Sequence, residues 1–140
     1  TIKIPNSVIE IGNDAFQDCQ SLQQIIIPNS VTKIGKNAFY GCCNLSSIEI
    51  PDSVIHIDYS AFSHCSKLKS INIPKSITNI SNWLFFDCNS LISVIIPDSV
   101  TKIGLDAFDN CESLQQIIIP EGSIEKFKKM LPKRIMEQTN

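Results

Sequence analysis

Aliphatic residues fall two apart and are then stopped by proline, again and again along this chain. Ile2 and Ile4 precede Pro5, Ile25 and Ile27 precede Pro28, Ile48 and Ile50 precede Pro51, and the same happens before Pro74, Pro97 and Pro120. The step is 23 residues each time, and it is kept by Phe16, Phe39, Phe62, Phe85 and Phe108, by Cys19, Cys42, Cys65, Cys88 and Cys111, and by Leu22, Leu45, Leu68, Leu91 and Leu114. The stretch SLQQIIIP at Ser21–Pro28 returns unchanged at Ser113–Pro120, because its offset of 92 residues is four steps of 23. The unit runs over 2–24, 25–47, 48–70, 71–93 and 94–116, and a sixth copy starts at Ile117 and breaks. A fixed period of about 20 to 29 residues with aliphatic anchors predicts a leucine-rich-repeat solenoid, in which each coil buries its apolar side against its neighbours.

Each column of the repeat has a physical reading. Ile25 and Ile27, two apart, send their side chains to one face of a strand, so Gln24 and Ile26 point the other way, and Pro28 ends the strand. One such strand per coil predicts a parallel sheet with coils about 4.8 Å apart. Ser7, Ser30, Ser53, Ser76 and Ser99 follow the proline, where a hydroxyl can bond turn backbone. Val31 and Ile34 point inward. Gly12, Gly35 and Gly104 suit a tight turn, although Asp58 and Ser81 replace glycine in the other two coils, so either no positive φ is needed there or those coils are strained. A short helical or 3-10 turn should then bury Ala38, Phe39 and Cys42.

The last segment, 117–140, leaves the pattern and is expected to form a capping helix. Ser123 is the expected N-cap, Ile124, Phe127 and Leu131 share a helical face, and Pro132 stops the run. Nothing comparable guards the N-terminal end. The pattern opens mid-unit there, so further repeats are expected on that side, and the uncapped edge is a candidate for self-association.

The units IPNSVTKIGKNAFYGC and IPDSVTKIGLDAFDNC, each followed by L-x-x-I-x-I-P, resemble BspA-like (Treponema-type) leucine-rich repeats over essentially the whole chain. That resemblance implies a surface-exposed or secreted, non-enzymatic protein of protist or mucosal-bacterial type that adheres to host cells, extracellular matrix or other microbes. It implies no catalytic motif and no particular ligand.

Composition narrows the alternatives. The 140 residues, 43% hydrophobic and 19% charged, fit one folded domain. A net charge of -2 without a basic stripe argues against nucleic-acid binding. No apolar run is long enough to cross a bilayer, and the first residues lack the pattern of a secretion signal. Neither a cofactor nor a catalytic or metal motif is expected. The five periodic cysteines are read as a buried file of free thiols, with inter-coil disulfides or a metal as alternatives. Cys43 stands outside the file and is expected to be exposed and open to oxidation or an intermolecular bridge. His56 and His64 fall in columns that read as solvated, and His64 adjoins Cys65 without an evident third group to orient a thiol–imidazole pair. Two sequons, at Asn44 and Asn79, occur at about the number chance provides.

Two surfaces are candidates for binding a protein or glycoprotein. One is the outward strand column that holds Ile26, Glu49, Asn72, Ile95 and Ile118, for which strand propensity alone is the competing account. The other is an aromatic group on the turn flank, Trp83 and Phe86 with Tyr59 and Tyr40 from adjoining coils, for which local packing is the competing account. An adhesin-like ectodomain is the leading functional expectation, and an intracellular scaffold for a protein partner is the alternative.

Overall fold

The computed structural model describes residues 1–132, so the 133–140 part of the expected cap lies outside the described residues. The chain winds as a solenoid, and each coil contributes strands to two ladders rather than to one. The first ladder contains β1 (Ile2–Lys3), β3 (Gln24–Ile26), β5 (Ser47–Glu49), β7 (Ser70–Asn72), β9 (Ser93–Ile95) and β11 (Gln116–Ile118). The second contains β2 (Glu10–Ile11), β4 (Lys33–Ile34), β6 (His56–Ile57), β8 (Asn79–Ile80) and β10 (Lys102–Ile103). The paired strands run parallel in a register of 23, with Ile25 beside Ile48 and Ile34 beside Ile57. The second ladder went unpredicted because two residues, one polar outside and one isoleucine inside, are too short to show an alternation.

The third side of each coil is a chain of turns, not the expected helical or 3-10 segment. Bonds such as Gln17 N–H to the Asp14 carbonyl (3.2 Å) close individual turns. Left-handed residues interrupt them twice per coil, at Asp14 and Asp18, at Asn37 and Gly41, and onward to Asp106 and Asn110. This alternation turns backbone N–H groups towards the next coil, so Phe16, Phe39, Phe62 and Phe85 donate to the carbonyls of Ala38, Ala61, Leu84 and Ala107 at 2.8, 2.8, 3.1 and 2.8 Å. Gly12, Gly35 and Gly104 are not among the left-handed residues. Gly35 is needed for close approach: a Cβ there would lie 2.5 Å from Asn13 Oδ1 and 2.7 Å from its backbone nitrogen.

Inside, the repeat columns pile into files. Phe16, Phe39, Phe62, Phe85 and Phe108 stack face to face with centroids 5.3, 5.3, 6.1 and 5.6 Å apart. Leu45, Leu68 and Leu91 are fully buried beside them. Burying one such side chain is worth about 1.5–3 kcal/mol, and every interior coil buries several. Serines that follow the proline bond backbone at the neighbouring coil's turn, as Ser76 does with the Asp52 carbonyl at 2.9 Å. Ser53 and Ser99 donate across to the preceding coil, to the Val31 and Ile77 carbonyls at 2.7 Å each.

One level of the solenoid differs from the rest. Among the described residues both ladders are interrupted at the same place, between β5 and β7 and between β6 and β8. The widest phenylalanine spacing, 6.1 Å, belongs to the same pair of coils. Side chains replace the missing backbone bonds. The Asn72 amide accepts from Ile50 N–H at 3.1 Å and donates to the Ile50 carbonyl at 2.8 Å, and the Ser81 hydroxyl donates to the Ile57 carbonyl at 2.7 Å. The turn side stays closed across this seam, through bonds such as His64 N–H to the Phe86 carbonyl at 2.8 Å.

After β11 the chain forms a short helix, α1 (Ile124–Lys128). Phe127 and Leu131 enter the core, but Ile124 is exposed, so the expected three-residue apolar face shrinks to two. Ser123 makes no side-chain capping bond, because its hydroxyl donates back to the Pro120 carbonyl. Lys126 ties the helix to the body at Asp98 Oδ1, 3.3 Å away.

Candidate functional site

The outward strand column is displayed as the alternation predicts. Ile26 and Ile95 are 54% and 58% exposed, Ile118 is also exposed, and Glu49 stands between them facing solvent. A polar groove of about 820 Å³ opens over Ile26, Asn29, Glu49, Asp52 and Asn72, where the first ladder is interrupted. Asn72 is exposed yet not free to recognise a ligand with its amide, which is committed to Ile50 at both ends. Glu49 forms no ion pair among the described residues.

The aromatic flank divides into two groups instead of one. Tyr40 and Phe86 are half-buried and hold His64 between them, with ring centroids 4.9 and 5.6 Å from the imidazole. His64 is also paired with Asp87, Nδ1 to Oδ2 at 2.8 Å, which supplies the orienting carboxylate that the sequence reading lacked. The two residues share a column one coil apart, so the repeat alignment already contained the pairing. Tyr59 and Trp83 form the second, exposed group. Lys36 lies over the Tyr59 ring at 4.6 Å, whereas Trp83 makes no ring contact among the described residues. Leu105, 82% exposed, presents a further aliphatic side chain in the repeat column of Tyr59. It was missed, although an aliphatic residue in a column otherwise held by Asn13, Lys36, Tyr59 and Asn82 was the available signal.

Trp83 is exceptional in its backbone as well. It adopts φ 57° in a column otherwise filled by Asp14, Asn37, Ser60 and Asp106, small polar residues that tolerate the left-handed region. For a bulky side chain this conformation costs about 1–2 kcal/mol. The surrounding structure holds it there: the Trp83 carbonyl accepts from Phe86 N–H at 3.1 Å and from the hydroxyl of buried Ser63.

The cysteines are structural thiols. All six are free, and Cys42, Cys65, Cys88 and Cys111 each donate to the phenylalanine carbonyl of the preceding coil, at 3.1, 3.2, 3.0 and 3.1 Å. Burial pushes Cys42 up to about 11 from an ordinary value of 9.0, and drives Cys65 and Cys88 well above that value. The Cys65 thiol points inward to the Phe39 carbonyl, while its neighbour His64 pairs with Asp87. Cys43 is half-buried rather than exposed.

Stacked 23-residue coils, parallel ladders and files of inward aliphatic and aromatic side chains define a leucine-rich-repeat solenoid, a scaffold that presents side chains on extended faces. The family profile of the BspA type leucine-rich repeat region matches residues 1–115 in six copies, and the chain belongs to that family. Among solved structures it is similar to the T. pallidum leucine-rich repeat protein, with 37% identity and a TM-score of 0.79 over 82% of this chain and 56% of that one. It is also similar to a leucine-rich cell surface protein from Faecalibacterium prausnitzii A2-165, with 40% identity and a TM-score of 0.83 over 90% of this chain and 33% of that one. A leucine-rich repeat protein from Bacteroides ovatus matches at 33% identity and a TM-score of 0.65, over 86% of this chain and 37% of that one. The chain thus spans about half of the first of these structures and a third of the second. No curated protein matches it. Among the described residues no helix is long and apolar enough to cross a membrane.

Proposed function

We propose that this chain is the binding module of an adhesin-like ectodomain that contacts a protein or glycoprotein on host cells, in extracellular matrix or on other microbes. The observation that carries this reading is the strand-face row of Ile26, Ile95 and Ile118, left in solvent around a polar centre by strands that bury Ile25, Ile48, Ile71 and Ile117 on the other face. Leucine-rich repeats are typically protein-binding scaffolds, and the F. prausnitzii relative is described as a cell surface protein. Many shallow contacts along such a face add up when several copies act together.

One observation favours the alternative, an intracellular scaffold: six free thiols are usual in reducing compartments. Burial, however, shields four of them from oxidants in either compartment. Labelling intact cells with an impermeant reagent separates the two readings, and an unlabelled protein beside a labelled surface control refutes the ectodomain. For the binding face, beads coated with the chain should attach to cell monolayers or matrix, and Ile26→Asp with Ile95→Asp should weaken attachment while the circular dichroism spectrum is unchanged. Undiminished attachment removes the strand face from the proposal.

A further inference from the structure

Trp83 is an unusual occupant of its column. It is 44% exposed, makes no ring contact among the described residues, and holds a left-handed φ that its column elsewhere gives to Asp, Asn or Ser. Even so, a dedicated clamp fixes it. Ser63, 1% exposed, donates its hydroxyl to the Trp83 carbonyl, and the column of Ser63 is otherwise filled by Gln17, Tyr40, Phe86 and Asp109. A strained, exposed aromatic held by a buried polar residue is a pre-organised contact surface.

Its surroundings specify the chemistry of what it meets. Asp106 occupies the same column one coil on, where the Phe85 and Phe108 rings of the same two coils stand 5.6 Å apart, and is exposed without an ion pair among the described residues. Asp87, by contrast, is already taken by His64. Leu105, next to Asp106, adds an aliphatic surface. The same flank already places a cation on an aromatic face, where Lys36 covers Tyr59 at 4.6 Å, and indole is the better partner for such a contact.

We infer that Trp83 and Asp106 form a docking point for an arginine side chain of the partner protein, its guanidinium stacked on the indole and paired with the carboxylate while its methylenes lie towards Leu105. The inference rests on the reading that this chain binds protein and names the chemistry of one contact. Arginine fits better than lysine because its planar cation stacks and pairs at once.

The chain contains one tryptophan, so its fluorescence reports the site alone. Acetyl-Gly-Arg-Arg-Gly-amide, titrated at low ionic strength into the millimolar range, should quench the emission saturably. The citrulline peptide, of the same shape without charge, should not. Asp106→Asn should weaken the arginine response by up to about fivefold, the loss expected for one exposed charge contact, with the circular dichroism spectrum unchanged. No saturable quenching, an equal response to citrulline, or a folded Asp106→Asn variant that responds like the parent overturns the inference. Because the titration uses no cells, it can fail while attachment persists, and attachment can fail while the titration succeeds.

Discussion

At the scale of single residues, the serine column offers a matched comparison. Ser53 donates across the coil boundary at 2.7 Å, whereas the Ser30 hydroxyl is buried with no partner among the described residues. Ser53→Ala should therefore cost about 1 kcal/mol of unfolding free energy, and Ser30→Ala should be neutral or slightly stabilising, as urea titration would show. The cysteines make a second prediction. Folded thiols bind their protons more tightly than unfolded ones, so their contribution is complete below pH 9.0 and declines as pH rises towards about 11 and beyond. Each buried thiol that ionises on unfolding adds a fall of about 1.4 kcal/mol per pH unit, visible as a dropping urea midpoint in alkaline buffer. The inward position of these cysteines was legible from their period. Their bond to the phenylalanine carbonyl was not, because it joins residues 26 apart, out of step with the 23-residue column.

At the scale of elements, sequence periodicity revealed the longer strand of each coil and misjudged the turn side. A run such as Asn37 to Cys42 buries residues at helix-like spacing, but its left-handed residues at Asn37 and Gly41 break any helix. Only the preference for Asp, Asn, Gly and Ser in those two columns betrayed them. Trp83 and His64 obscured even that signal. The seam was hidden for a different reason, since Asn72 sits in an outward column where a polar residue looks unremarkable. Its test is local. Asn72→Ala strands the Ile50 backbone groups and should destabilise the chain by about 1–3 kcal/mol. Hydrogen exchange should accelerate at the Ile50 amide while the amides shared by β9 and β11 keep their rates. Unchanged exchange at Ile50 would mean that the ladder closes without the asparagine.

At the scale of the whole molecule, coils meet only their neighbours, so the solenoid should tolerate the loss of an interior unit provided the register of 23 is kept. Removing 71–93 joins Ser70 to Val94 and takes away Asn72, Ser81, Trp83 and Phe86 together, while Ile26, Ile95 and Ile118 remain. The shortened chain should unfold cooperatively at a lower urea midpoint, and a deletion one residue shorter should throw every inward column out of line and abolish that transition. The seam should also heal. In the shortened chain Ile95 stands where Asn72 stood and Gly104 where Ser81 stood, and in the parent these two residues belong to coils whose ladders close: Ile96 N–H meets the Ile118 carbonyl at 2.8 Å, and Gly104 N–H meets the Ile80 carbonyl at 2.6 Å. If two side chains cause the interruption, the Asp58–Ile57 region and β5 should exchange more slowly after the deletion than before it. If these amides stay as fast as in the parent, the break belongs to the position along the solenoid rather than to Asn72 and Ser81.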